Sequence, residues 1–565
     1  MKPTRTLLTL AIASGLTLAC SPGGDETAMS TTGNPLLAYV PADTPYVFAN
    51  LEPTTHEVTD AYLARMEPII ANIEQSMIEA RREAENGEVD AEQEAIDLFM
   101  AVYDELSGNL NREGLEAMGL TLEAHHAMYG HGLFPVMRLT LNDPAAFRAT
   151  IARVETQSGQ QAVEHDFNGQ AYWRVGDDAG AAFIAIMEDH VAMGAWPVAT
   201  AEADFLPSFL GQEQPASSVA STGALANLNR EQGYSPHGSG YVDFQRVADE
   251  LMDASSLTAS QMQGAANYNA DQLGEVCEQE IRALVARAPR ATAGVTALEA
   301  DRLDTRMQLE LDTGLAGELT ALVANVPTAL ADATKAFSMS LGINVGELRE
   351  LALAKVNDMM AEPFQCPQLQ DMNIQVQQMA AQLNQPMPPF IGNLRGFRVV
   401  LTEFDRTNFE PADARGLLSL EVENPQILTG MASMMVPGME NLALEPGGEP
   451  VDVPQELMTM ATPDMAMQAV MTSNAIGVAM GRDQFDQLVP FMEGGGENGD
   501  VFLSLDYDMA TFMELPETGP DGMPMPVDAE TRAVLETYRA MLGRSRMEMA
   551  FTADGLVIDS SMTFK

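Results

Sequence analysis

Basic residues are scarce in this 565-residue chain, which has 30 Lys and Arg against 81 Asp and Glu. After the first few residues, lysine remains only at Lys335, Lys355 and Lys565. A formal net charge of −51 argues against binding nucleic acid and against docking on anionic lipid, since both are negatively charged. The acidic residues are scattered and form no calcium-loop repeat. They favour a solvated acidic surface over a face dedicated to cations or basic partners.

Recognisable catalytic motifs are also missing. The chain has no Gly-x-Ser-x-Gly, no Ser-x-x-Lys, no Gly-x-x-x-x-Gly-Lys, and no Gly-x-Gly-x-x-Gly after a strand. The glycines 494–496 stand between Glu493 and Glu497, whose charge would repel a phosphate. We therefore expect no cofactor and no catalysis. A hydrolase whose site is assembled only by folding is the alternative.

Cysteine is rare, with three residues in the chain. If Cys20 is modified, as argued below, Cys277 and Cys366 remain as an even pair. In an oxidising compartment such a pair predicts a disulfide. Closing a loop of ~90 residues would stabilise the fold by about 4–5 kcal/mol in the chain-entropy model. The alternative is two buried free thiols.

Long hydrophobic runs are absent as well, so we expect no transmembrane helix. The N-terminus instead has Lys2 and Arg5, a short apolar stretch over 7–13, and the small Ala19 before Cys20. A basic start, a short apolar core and small residues at a cut site predict a secretory signal peptide.

The Ala19-Cys20 pair resembles the lipobox of bacterial lipoproteins, although Thr17 and Leu18 stand where that box usually has Leu and a small residue. The resemblance implies cleavage before Cys20, acylation of its sulfur and amine, and firm membrane attachment through the lipid. Ser21, in place of Asp, implies the outer membrane of a Gram-negative bacterium. The alternative is an ordinary signal peptide cut nearby, which would leave a soluble periplasmic protein.

Composition and an internal repeat suggest four segments. Residues 1–19 are the expected signal peptide, and 20–34 are a lipidated flexible tether because they are small, polar and rich in Gly and Thr. We expect a first lobe over 35–330 and a second over 331–565. Hydrophobic residues make up 46% of the chain, which is enough for packed cores.

The repeat predicts the fold class. Residues 133–154 and 414–435 each read as an alternating apolar strand, an Asn or Asp cap, a Pro, and an amphipathic helix. Hairpins, a helix, and a strand ending in Asp243 or Asp506 then follow in the same order. We therefore predict an α+β fold of two similar lobes. Each lobe would have a mostly antiparallel sheet of about five strands with packed helices.

Helical inserts are expected within 61–107 and 345–384. The body of the chain resembles duplicated proteobacterial envelope proteins of unknown function, through Pro41-Ala42-Asp43 and the phrases at 129–132 and 240–243. That resemblance implies no activity, so it assigns no functional residue.

Histidines provide weak metal candidates. His125, His126 and His131 lie close together in the sequence, near Glu123. Their spacing matches no zinc helix signature, and a metal site would need several ligands to converge. We favour a polar entry into a strand, and we name the three residues only as weak candidates.

Methionine is abundant, with 38 residues in the chain. One group is formed by Met431, Met434, Met435 and Met439; a second lies over 458–471. Packing in irregular cores is the favoured interpretation. An adaptable apolar binding surface and Cu(I) ligation are the alternatives.

These observations predict a non-catalytic, membrane-anchored envelope lipoprotein that binds an apolar or extended ligand, such as lipid, a lipoprotein or an unfolded polypeptide. Its partners would be the membrane, through the lipid, and such a ligand or an envelope protein. A structural scaffold that holds partners through its acidic surface is the second hypothesis, and the hydrolase is the third.

Overall fold

The structure is a computed structural model that describes residues 33–66, 93–177, 180–196, 202–256, 258–259, 273–328, 336–403, 415–454, 457, 466–494, 499–513 and 529–565. Helices and antiparallel strands are both abundant, which confirms the α+β class. The chain divides into two compact units, Met1–Met307 and Gln308–Lys565. The repeat had suggested a division near residue 330. No helix in the described part is long and apolar enough to cross a membrane.

The first unit begins with a 3-10 turn at Pro35–Tyr39. Its described strands and helices follow in chain order: β1 Tyr46–Ala49, α1 56–66, α2 Gln93–Ser107, α3 Arg112–Ala117, β2 His126–His131, β3 Phe134–Thr140, α4 Pro144–Ser158, β4 Val163–Phe167, β5 Gln170–Asp177, β6 Gly180–Ile186, β7 His190–Trp196, α5 Glu202–Phe209, α6 Val219–Thr222, α7 Ala224–Gln232, β8 Ser239–Asp243, α8 Phe244–Met252, α9 Glu275–Val285, β9 Arg290–Glu299 and β10 Arg302–Glu310.

The strands of this unit pair in the order β9, β8, β1, β2, β3, β7, β6, β5, β4, and every one of these pairs is antiparallel. Strand β10 pairs with β9. The core behind the sheet is aromatic: Phe183 stacks on Trp196 with ring centroids 4.2 Å apart, and Phe205 and Phe209 of α5 complete the cluster.

The described strands and helices of the second unit follow in chain order: α10 Thr313–Thr320, β11 Phe337–Gly342, α11 Val345–Ala361, α12 Gln370–Leu383, α13 Pro389–Gly392, β12 Leu394–Glu403, β13 Arg415–Val422, α14 Pro425–Met435, β14 Val451–Asp452, β15 Met467–Met471, β16 Ala475–Met480, α15 Phe485–Glu493, β17 Val501–Asp508, α16 Met509–Phe512, α17 Ala529–Met541, β18 Leu542–Thr552 and β19 Gly555–Phe564.

Its strands pair in the order β19, β18, β17, β11, β12, β13, β16, β15, β14, again all antiparallel. From β18 to β15 this order corresponds strand for strand to the order from β9 to β6 in the first unit. The core is smaller and aliphatic, with Val400, Leu417, Ala479 and Leu488 packed around Phe491.

One sequence expectation needs correction. About five strands per half is an undercount, since the described residues form nine or more in each unit. The missed hairpin β4–β5 turns at Asn168-Gly169, where both residues have positive φ, at 51° and 86°. Asn-Gly is the preferred sequence for a two-residue turn of this kind. Within the predicted insert 61–107 the structure describes the end of α1 and all of α2, and α11 and α12 lie within the predicted insert 345–384.

Candidate functional site

The residues predicted to carry the lipid cannot be placed, because Cys20 and the tether up to residue 32 lie outside the described residues. Cys277 of the first unit and Cys366 of the second unit are both buried, and the disulfide between them stays a prediction. The loop glycines 495 and 496 also fall outside the described part of the chain.

The three candidate histidines occupy or adjoin one strand. His126 begins β2 and His131 ends it, and five residues along a strand place their side chains on opposite faces of the sheet. His126 is buried, and its Nδ1 has no hydrogen-bond partner in the described structure. Burial and the nearby His125 lower the pKa of His126 to about 4. The expected polar entry into a strand therefore includes a deeply buried, neutral imidazole.

Metal coordination finds no support among these side chains. Within the described ranges, no group of three or more His, Cys, Asp or Glu side chains could hold an ion. His131 contacts Phe205 edge to face, with ring centroids 4.9 Å apart. Burial lowers the pKa of both His125 and His131.

A small pocket of about 230 Å³ lies beside His131. Its lining comes from the chain before β1, the end of β2 and helix α8: Pro41, Asp43, Thr44, Pro45, Gly130, His131, Gly132 and Glu250. Gly132 has φ +58°, and a Cβ there would lie 2.6 Å from Thr258 Oγ1 and 3.0 Å from Glu250 Oε2. This glycine is needed both for its backbone conformation and for the close approach of α8.

The pocket is lined by both polar and apolar residues. Burial raises the pKa of Glu250, whose Oε2 accepts a hydrogen bond from Thr258 Oγ1 at 3.1 Å. Asp43 is exposed at the rim. Within the described residues no hydrogen bond or ion pair joins His131 to Asp43 or Glu250. The arrangement can hold a small polar molecule, but it lacks the base and nucleophile in contact that covalent hydrolysis requires.

A buried arginine closes the end of a helix in the first unit. Arg138 of β3 is fully buried, and its Nη2 donates to the carbonyls of Ser208 at 3.2 Å and Phe209 at 2.8 Å, at the end of α5. Its Nη1 lies 2.9 Å from Nε2 of His190, whose Nδ1 is 2.6 Å from Asp189 Oδ1. The exposed carbonyls at a helix C-terminus carry partial negative charge, which stabilises the guanidinium.

In the second unit, a buried arginine also donates hydrogen bonds to the carbonyls at the end of a helix, but it lies on a different strand. Arg398 of β12 donates from Nη2 to the carbonyl of Phe491 at 2.7 Å and from Nη1 to that of Gly494 at 3.0 Å, at the end of α15. The repeat aligns Arg138 with Ser419, and Ser419 pairs across the strands with Arg398. In the first unit, the residue opposite Arg138 is Ala127. The arginine has therefore exchanged places with its cross-strand neighbour between the two units.

An exposed apolar surface is the most distinctive feature of the second unit. Helix α14 places Ile427, Met431 and Met434 at spacings of four and three residues, which is one helix face, with Met435 and Val436 beside them. We call these five residues the methionine face. Met434 is 81% exposed and Met435 is 75% exposed, Ile427 and Val436 are exposed to a lesser extent, and Met431 is half-buried. The favoured interpretation of this group as core packing is wrong for these two residues.

The other methionine group behaves differently. Met471 is buried in β15 at 2% exposure, as core packing requires. Met467 is partly buried at the start of the same strand, and residues 458–465 lie outside the described structure. Sequence alone could not separate the two groups, because helical and strand spacings of Met both suggest an interior face.

The equivalent helix α4 of the first unit is covered only in part, since its Arg153 is exposed. By the repeat, Met431 corresponds to Thr150 and Met434 to Arg153 of α4. Thr150 is buried and its Oγ1 donates to the carbonyl of Met118 at 3.3 Å. Arg153 Nε donates to Oε1 of Glu105, a buried residue of α2, at 2.8 Å. A helix therefore packs on this face in the first unit.

Comparison with known proteins gives no further assignment. No family model matches the chain, no curated protein matches it, and no solved structure matches it.

Proposed function

We propose that this protein is a non-catalytic binding protein of a bacterial cell envelope, held at a membrane by lipid on Cys20. The methionine face of α14 would take an apolar or extended ligand. The observation that carries the proposal is the exposure of Met434 and Met435, which lie together on α14. The equivalent helix α4 is partly covered by α2 and has the charged Arg153 at the position of Met434.

Physical reasons support a binding role for this face. Exposed apolar side chains that lie together on one element mark interaction sites more often than solitary ones do. Methionine has three rotatable bonds and a polarizable sulfur, so a group of methionines adapts to ligands of varied shape. The acidic surface would keep such a protein soluble at high local concentration near the membrane.

The binding role is tested with the neutral apolar dye Nile red. The intact protein should enhance the dye's fluorescence, and Met434→Gln with Met435→Gln should remove most of that enhancement. Gln is close to Met in size and adds no charge. The matched control is Met379→Gln on α12, where the side chain is also exposed. Equal dye binding by all three proteins would count against the proposal.

The anchor is tested separately by fractionating cells of the bacterial host. The intact protein should sediment with membranes and incorporate labelled fatty acid. Cys20→Ala should abolish the labelling and release the protein or leave its precursor uncut. Labelling that survives Cys20→Ala would contradict the assignment of the lipid to this residue.

A further inference from the structure

The geometry of the methionine face favours a helix as its occupant. Ile427, Met431 and Met434 form a stripe at positions i, i+4 and i+7, which is the spacing that a second helix packs against. In the first unit, the position of Met434 is Arg153, which bonds to Glu105 on α2. The fold thus already places a helix on the corresponding face, and in the second unit that face is both open and more apolar.

The charge around this face restricts the occupant further. Between Arg415 and Arg482 the sequence has no Lys, Arg or His and eight acidic residues. Those nearest α14 in the sequence include Glu421, which is half-buried, and Glu423, which is exposed and pairs with Arg395 at 2.9 Å. Beyond the helix, Glu445, Glu449 and Asp452 are exposed. A second copy of this chain would bring the same negative charge, and an anionic lipid surface would be repelled in the same way.

We propose that the methionine face binds a basic amphipathic helix of another polypeptide. The apolar side of that helix would cover Ile427, Met431, Met434 and Met435. Its Lys and Arg side chains would face the surrounding carboxylates, which steer association and disfavour acidic partners. The inference rests on the proposed binding function and narrows its ligand to one chemical class.

The test uses two fluorescent peptides and the intact protein. Both peptides are designed 18-residue helices with Leu in the same i, i+3, i+4, i+7 pattern; one has Lys at its flanks and the other has Glu. Binding is followed by fluorescence anisotropy near physiological salt, where nonspecific surface attraction is partly screened. The Lys peptide should bind at least roughly tenfold more tightly than the Glu peptide.

Variants then locate the site. Met434→Gln with Met435→Gln should weaken binding of the Lys peptide by at least roughly tenfold, since central anchor residues dominate such interfaces. Met379→Gln should change it by less than about twofold. Circular dichroism melting of each variant checks folding, and exposed substitutions of this kind should leave the melting temperature nearly unchanged.

The outcomes separate the two proposals. If the Lys peptide binds equally well to the Met434 and Met435 variant, it binds the acidic surface elsewhere, and the inference is wrong. If Nile red requires the methionine face but both peptides bind alike, the binding function stands and the basic helix is wrong. If neither dye nor peptide depends on Met434 and Met435, both proposals fall.

Discussion

At the scale of single residues, buried polar groups set the most demanding conditions in this fold. Arg138 is fully buried, and among the described residues no carboxylate forms an ion pair with it; its guanidinium bonds instead to the carbonyls that end α5 and to His190. Removing such a donor would leave buried carbonyls without partners, which costs more than the hydrogen bonds themselves contribute.

His126 gives a pH dependence with a defined direction. Its pKa falls from 6.5 in the unfolded chain to about 4 in the fold, so the unfolded chain binds the proton first as pH falls. The stabilisation is complete above pH 6.5 and is lost as pH falls from 6.5 towards 4. Between pH 7 and pH 5 this histidine should reduce the free energy of unfolding by about 2 kcal/mol.

The measurement is urea unfolding followed by tryptophan fluorescence. Both tryptophans of the chain, Trp173 and Trp196, lie in the first unit, so the signal reports that unit alone. His126→Phe should flatten the dependence of the unfolding free energy on pH. An unchanged slope in that variant would assign the effect to other buried histidines.

Individual residues also show where sequence reasoning reaches its limit. The histidines were expected at the entry to a strand, and β2 begins at His126. The burial of His126 was not predictable from the hairpin of β2 and β3 alone, because the strand on the other side of β2, Tyr46–Ala49, comes from a distant part of the chain. The exposure of Met434 was not predictable either, since it depends on whether another element packs on α14.

At the scale of elements, local chemistry explains where some helices begin. Asp143 caps α4 with its Oδ1, which accepts from the backbone of Ala145 at 2.9 Å and Ala146 at 3.1 Å, and Pro144 starts the helix. The equivalent Asn424 has nearly the same backbone angles before Pro425, but its side chain makes no capping hydrogen bond. Similar local sequences therefore stabilise the starts of the two helices to different extents.

This pair of caps gives a matched prediction. Asp143→Ala should lower the unfolding free energy of the first unit by about 1 kcal/mol, because it leaves two helix N–H groups without their acceptor. Asn424→Ala should have a clearly smaller effect on the second unit. Tryptophan fluorescence follows the first variant and far-ultraviolet circular dichroism the second. Equal losses would show that the side-chain caps do not differ in solution.

The sequence does not predict which distant strands pair with each other. The Asn168-Gly169 turn could have been recognised from its residues alone, and overlooking it hid β4 and β5. The insertion of β1 between β2 and β8 is different. It joins segments nearly two hundred residues apart, and alternation of apolar residues does not say which strands are neighbours.

At the scale of the whole molecule, the corresponding strand orders of the two units support the proposal of an internal duplication. The most specific support is the position of the buried arginine. Arg138 lies on β3 opposite Ala127 in the first unit, whereas Arg398 lies on β12 opposite Ser419 in the second. Residues directly opposite on neighbouring strands point to the same side of a sheet. An arginine at either position can therefore reach the carbonyls at the end of the equivalent helix.

The exchange can be reproduced within the first unit. Arg138→Ser alone should lower its unfolding free energy by roughly 2–4 kcal/mol, since two buried carbonyls lose their donor. Adding Ala127→Arg to that variant should recover a substantial part of the loss by recreating the arrangement of the second unit. Tryptophan fluorescence measures both. A double variant less stable than Arg138→Ser would show that the two sheets are not interchangeable at this point.

The open methionines have a chemical consequence. Thioethers in solvent are oxidised to sulfoxides far more readily than buried ones, and the product is polar. A mild dose of peroxide would reach Met434 and Met435 well before Met471, which is 2% exposed. Oxidation would turn this part of α14 from an apolar surface into a polar, hydrated one. Methionine sulfoxide reductases could reverse the change, so the redox state of the compartment would set how much of the methionine face stays apolar.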